Sequence, residues 1–113
     1  MENAIYQKPV VISQLFEVHR QEIYIYSLET FGFYQAEVYD KRIHQSLQTL
    51  SLHYKLYPEC RFIQTKNRTY RNIILDAHYI IYRINDVRIE VLDILHMASS
   101  IRKIRDVKKT GMK

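Results

Sequence analysis

The chain is short of the residues that punctuate and cross-link a fold. Its two glycines, Gly32 and Gly111, stand far apart and outside any motif, which excludes a glycine-rich phosphate loop. The single cysteine, Cys60, excludes an internal disulfide and a thiolate zinc site, and it fits a reduced, cytoplasmic setting. The five histidines are scattered without ligand spacing, so the sequence calls for no metal and no cofactor. There is no run of about 18 apolar residues to span a membrane. Residues 1–9 also lack the basic and then apolar stretches of a signal peptide.

What is present is a 113-residue chain, 47% hydrophobic and 26% charged, the balance of one soluble globular domain. We read residues 1–113 as that domain, with 1–9 a loose lead and 97–113 a basic amphipathic segment. Charge is unevenly placed. Residues 97–113 hold Arg102, Lys103, Arg105, Lys108, Lys109 and Lys113 against Asp106 alone, so the whole formal excess of +5 sits there. Such an excess fits either an acidic partner or a solvated tail kept for solubility.

The elements follow from pattern. Val10–Phe16 reads as a first strand, an edge strand because Pro9 cannot donate to a ladder. Glu17–Phe31 predicts a helix ended by Gly32, apolar nearly all round and therefore expected to be buried on two sides. From Phe33 to about Tyr54, Ala36, Tyr39, Ile43, Leu47, Leu50 and Tyr54 recur at steps of three and four, the stripe of a second helix. Pro58 closes the helical hairpin, Phe62-Ile63 is a possible short strand, and Lys66-Asn67-Arg68 reads as a turn. The polar breaks Asp76-Ala77 and Asn85-Asp86 divide Tyr70–His96 into three β-branched and aromatic runs, a strand meander. The fold class is α+β: an N-terminal strand, a helix hairpin packed on an antiparallel meander, and a short basic C-terminal helix.

Two-residue turns would pair Leu75 with His78, Arg71 with Tyr82, Ile84 with Val87 and His78 with Asp93. That register puts Ile73, Leu75, Ile80, Tyr82, Ile89 and Val91 on the face that receives the helices. Tyr70, Tyr79, Arg83, Arg88, Glu90, Leu92, Ile94 and His96 fall on the other, a mixed face expected to meet a partner. Partner-contact candidates are thus Tyr70, Tyr79, Arg83, Arg88 and His96, with Arg102, Lys103 and Arg105 from the basic segment. For acid-base chemistry on RNA, which needs a base, an acid and cations for the phosphorane charge, the set would be His96, Arg71 and Arg83. Each also has a bland reading. His96 can be a satisfied structural histidine, Arg71 can ion-pair or stack beside Tyr82, and His78 can pair with Asp93.

Glu22-Ile23-Tyr24-Ile25-Tyr26-Ser27 with Phe31-Gly32, Ala36 and Tyr39, then Tyr70-Arg71, His78-x-Ile80-x-Tyr82-Arg83 and Ile94-Leu95-His96, together resemble the RelE/ParE superfamily of type II toxin-antitoxin toxins. The likeness covers about residues 9 to 97 and is closer to the ParE branch. The chain departs from the pattern at Cys60-Arg61 (commonly Gly-Arg), at Asp93 (often Arg), and at Ala98-Ser99-Ser100 after the histidine. The resemblance implies a toxin neutralised by a cognate antitoxin, forming a toxin-antitoxin hetero-oligomer. ParE-like members are non-enzymatic and poison DNA gyrase. RelE-like members cut mRNA on the ribosome with a dense Lys/Arg cluster. Basic candidates are sparse here, which favours the ParE-like alternative over a metal-independent endoribonuclease.

Overall fold

The computed structural model of the chain describes residues 7–112. Residues 1–6, and with them most of the expected loose lead, lie outside the described residues, as does Lys113. The elements are β1 (Val10–Ile12), α1 (Gln14–Phe31), α2 (Phe33–Gln48), α3 (Leu50–His53), β2 (Tyr70–Ile74), β3 (His78–Ile84), β4 (Ile89–His96) and α4 (Ile101–Asp106). One 3₁₀ turn, Val107–Lys109, follows. The four strands form one sheet in the order β1-β4-β3-β2, with β1 parallel to β4 and the meander antiparallel. The α+β architecture is the one the sequence pattern implies.

β1 is the edge strand expected beside Pro9, whose carbonyl accepts from the Ile89 amide at 2.8 Å. It ends three residues in, not at Phe16, because Ser13 turns the chain: its hydroxyl accepts from the Phe16 amide at 3.0 Å as a helix N-cap. That hydroxyl also donates to the Leu92 carbonyl at 2.6 Å, tying the start of α1 to β4. Gly32 closes α1 with its N–H on the Leu28 carbonyl. Its φ of 91° lies where side chains are strained, while the space around its Cα is open, so conformation alone requires glycine there.

The second helix breaks at Thr49, and α3 completes its last turn. The expected stripe packs on the sheet: Ala36, Ile43, Leu47, Leu50 and Tyr54 are buried, and Tyr39 is half-buried at the edge of the core. α1 departs from expectation. Only Phe16 and Ser27 of its side chains are buried, and Ile25, Tyr26, Leu28 and Phe31 face outward.

In the meander, Arg71 lies opposite Tyr82, and the Leu75 amide donates to His78 at 2.9 Å, as the first turn predicts. The second turn is displaced. The Asn85 side chain accepts from the amides of Val87 and Arg88, and the Asn85 amide donates to the Arg88 carbonyl, so Ile84 pairs with Ile89 rather than Val87. A β-bulge then slips the ladder once more: Tyr82 faces Val91 but Ile81 faces Asp93, leaving Leu92 as the extra residue. The slip exchanges the faces of the last residues of β4. Ile94 joins the core under the hairpin, Leu95 joins the opposite face, and His78 sits across from His96 instead of Asp93.

That opposite face is not open. Phe62 and Ile63 form a turn rather than a strand, and this loop with α4 and the 3₁₀ turn lies over it. Cys60, Ile63, Ile104 and Val107 bury against Ile81, Leu92 and Leu95, with Tyr70 and Tyr79 packed at the margin. Burying a Val or Ile side chain stabilises by roughly 1.5–3 kcal/mol, which is how so short a helix is held. The basic C-terminal segment is therefore the second cover of the sheet.

Candidate functional site

Between the tip of the hairpin and the end of the sheet where β3 begins and β4 ends, the surface opens into a groove of ≈ 720 Å³. α1 supplies His19, Glu22, Ile23, Tyr26 and Phe31 to one wall, and α2 supplies Gln35 and Tyr39. The other wall carries Asp76, His78, His96, Ser99 and Lys103. The bulge helps shape this site, because it sets His96 beside His78 with ring centroids 5.3 Å apart, edge to face.

The groove's polar floor is a connected set. The Tyr39 hydroxyl and His78 Nδ1 are 2.7 Å apart, and the same oxygen accepts from the Ala77 amide at 3.4 Å. With the phenol donating to Nδ1, the remaining proton of a neutral His78 sits on Nε2. Burial, and then the neighbouring His96, push the His78 pKa down, while burial pushes Tyr39 up, so both are neutral around pH 7. His96 is exposed, and its Nδ1 accepts from the Ala98 amide at 2.9 Å. Deeper, His19 Nδ1 lies 2.6 Å from the buried Asp93 carboxylate, which also accepts from the Ile94 amide. Asp93 thus has a structural partner on α1.

The three residues of the acid-base set do not meet. His96 pairs with His78, which is five residues from Arg83 along β3, about 17 Å at the strand rise. Arg83 lies on the α4-covered face, bound to Glu90 at 2.7 Å and, through Nη1, to the Lys108 carbonyl. Burial alone would raise the Glu90 carboxyl, but hydrogen bonds from Arg83 and Arg88 outweigh it and hold the group ionised. Arg71 donates to the carbonyls of Lys55 and Tyr57, bracing the segment after α3 against β2. Of the partner-contact candidates, Tyr70 and Tyr79 pack at the margin of the C-terminal cover, and Arg83 and Arg88 are engaged with Glu90. His96, Arg102, Lys103 and Arg105 are exposed, and His96 and Lys103 line the groove.

Tyr39, His78 and the outward aromatics of the hairpin are site residues that pattern reading passed over. Phe31 is 63% exposed and Tyr34 75%, with Tyr26 edge-on to Phe31 at 6.4 Å. The signal was the all-round apolar character of α1, which marks a second contact that nothing within the described residues provides. Among those residues there is no group of three or more His, Cys, Asp or Glu placed to hold a metal ion. No helix there is long and apolar enough to cross a membrane.

A helix hairpin on one face of a small mixed sheet, a C-terminal segment on the other and a groove between hairpin and sheet end make up a small α+β module. The chain belongs to the ParE toxin family: residues 10–101 match the family model described as the ParE toxin of the type II toxin-antitoxin system, parDE. A solved chain from a structure described as the chromosomal ParDE TA system from P. aeruginosa shares the fold at a TM-score of 0.66. The two are 13% identical, and the match covers 80% of this chain and 97% of that one. No curated protein matches the chain at a significant level.

Proposed function

We propose that this chain is a growth-inhibiting toxin that acts in the cytoplasm by binding an essential protein target, DNA gyrase, and is neutralised by a cognate antitoxin. The observation that carries this reading is the groove with its unpartnered aromatic rim, set against the dispersal of His96, Arg71 and Arg83. A protein partner gains most from exposed aromatics around a pocket, whereas phosphoryl chemistry needs converging cations. The RelE-like reading would retain His96 as its acid-base residue, but among the described residues Lys103 is the lone Lys or Arg lining the groove. The antitoxin fits the same rim: an amphipathic segment laid along Tyr26 and Phe31 would cover the groove and compete with the target.

The test is a gyrase supercoiling assay with purified toxin, run with and without the product of the neighbouring small reading frame. Dose-dependent inhibition relieved by that product supports the reading. Absence of inhibition at excess toxin, with new mRNA 5′ ends that vanish in His96→Ala, supports the nuclease instead.

A further inference from the structure

Of the eleven described Lys and Arg before residue 97, four are held in ion pairs. Arg20 pairs with Asp40, Arg42 with Asp76, and Arg83 and Arg88 with Glu90. The cover gathers several bare cations in one place. Arg102, Arg105 and Lys108 are exposed and make no ion pair with a described residue, and neither does Arg61 in the adjoining loop; Asp106 neutralises Lys109 alone. These four cations stand on one built surface. The Arg61 guanidinium lies over the Phe62 ring at 4.9 Å, and Arg105 Nε donates to the Phe62 carbonyl at 3.3 Å. Arg83 reaches the Lys108 carbonyl, while Ile104 and Val107 anchor the segment from below.

We propose that this outer face is a docking surface for the phosphate backbone of duplex DNA, held by Arg61, Arg102, Arg105 and Lys108. The choice of ligand follows from what accompanies the charge. An acidic protein segment needs apolar anchors as well as cations, and the one large apolar side chain exposed on α4 is Ile101, at 49%. Single-stranded nucleic acid needs open aromatic faces on which to stack its bases. Here Phe62 and Tyr70 are half-buried and each is capped by an arginine, Arg61 and Arg83. What remains is a ridge of bare cations with i, i+3 spacing at Arg102 and Arg105, suited to a ligand that offers phosphates and asks for neither pocket nor platform. The surface adjoins the groove wall at Lys103, but none of its four cations lines the groove, so the groove stays free for a protein.

Anisotropy of a short labelled DNA duplex, titrated with the full chain and no other protein, tests this. Four neutralised phosphates give a log–log salt slope of roughly −3.6, or about a 100-fold loss of affinity between about 50 and 200 mM salt. Arg102→Glu and Lys108→Glu, at exposed side chains with no hydrogen bond to a described residue, each abolish about one unit or more of that slope with unchanged circular dichroism. Arg42→Glu on the hairpin leaves binding as it was. The proposal is overturned if the duplex does not bind at low salt or if the two variants bind like the parent. It is equally overturned if a single strand or a poly-glutamate chain of matched charge binds as tightly as the duplex.

Discussion

The helical hairpin and the C-terminal segment each cover one face of the same sheet, yet they leave opposite chemistries on the outside. The hairpin pairs Arg20 and Arg42 with acids and leaves aromatics bare: Tyr26, Phe31, Phe33 and Tyr34 are all more than 60% exposed. The C-terminal segment buries Ile104 and Val107 and leaves Arg102, Arg105 and Lys108 bare. A cover is thus defined as much by its outer side as by the core it seals. One outer side is suited to protein, the other to a polyanion.

Substitutions within the hairpin sharpen the contrast most. Phe16 is fully buried beneath α1, so Phe16→Ala is expected to cost about 3–5 kcal/mol in urea unfolding. Phe31→Ala, the same chemistry on the exposed side, is expected to stay within about 0.5 kcal/mol, so its consequence falls on partner binding. On the other face, Glu90 holds two guanidiniums that are themselves partly exposed. Glu90→Ala is expected to cost about 2–3 kcal/mol, less than a fully buried pair would. Between the two covers, the buried Tyr82 hydroxyl donates to the Tyr54 carbonyl at 2.6 Å. Tyr82→Phe leaves that carbonyl unpaired, for about 1–2 kcal/mol.

The smallest effect is one of pH. His78 is held below the ordinary imidazole value of 6.5, chiefly by burial and then by His96, with Tyr39 and Asp76 also nearby. The unfolded chain therefore binds the proton more readily than the folded one. Stability is fully present above about pH 6.5 and declines as the pH falls toward the folded value. Denaturant midpoints from neutral to mildly acidic pH should show this decline, and His78→Gln should remove part of it.

Much of the fold is written locally. The Ala36-to-Tyr54 stripe, the Gly32 break and the Asp76-Ala77 turn each depend on residues close in sequence, and each is where pattern places it. The bulge at Leu92 is not of that kind. Its extra residue, added to the two-residue displacement of the Asn85-Asp86 turn, carries His96 to the position opposite His78 where Asp93 was expected, and so helps shape the groove. Ser13 was legible in principle, a serine three residues before an amide it can cap, but the β-branched run Val10–Ile12 outweighed it in a strand reading. The apolar breadth of α1 was visible in the sequence. It reads as double burial, because a sequence does not distinguish a residue covered by its own chain from one that awaits another.

The central claim, that the hairpin rim and its groove hold the functional contact, comes down to one titration. Supercoiling by gyrase is measured against rising concentrations of the parent toxin and of the Tyr26→Ala/Phe31→Ala double variant, with thermal unfolding run alongside. The account predicts inhibition by the parent and at least a tenfold weaker effect (about 1.4 kcal/mol of lost binding) from the variant at an unchanged unfolding midpoint. Equal inhibition by the two proteins would contradict it.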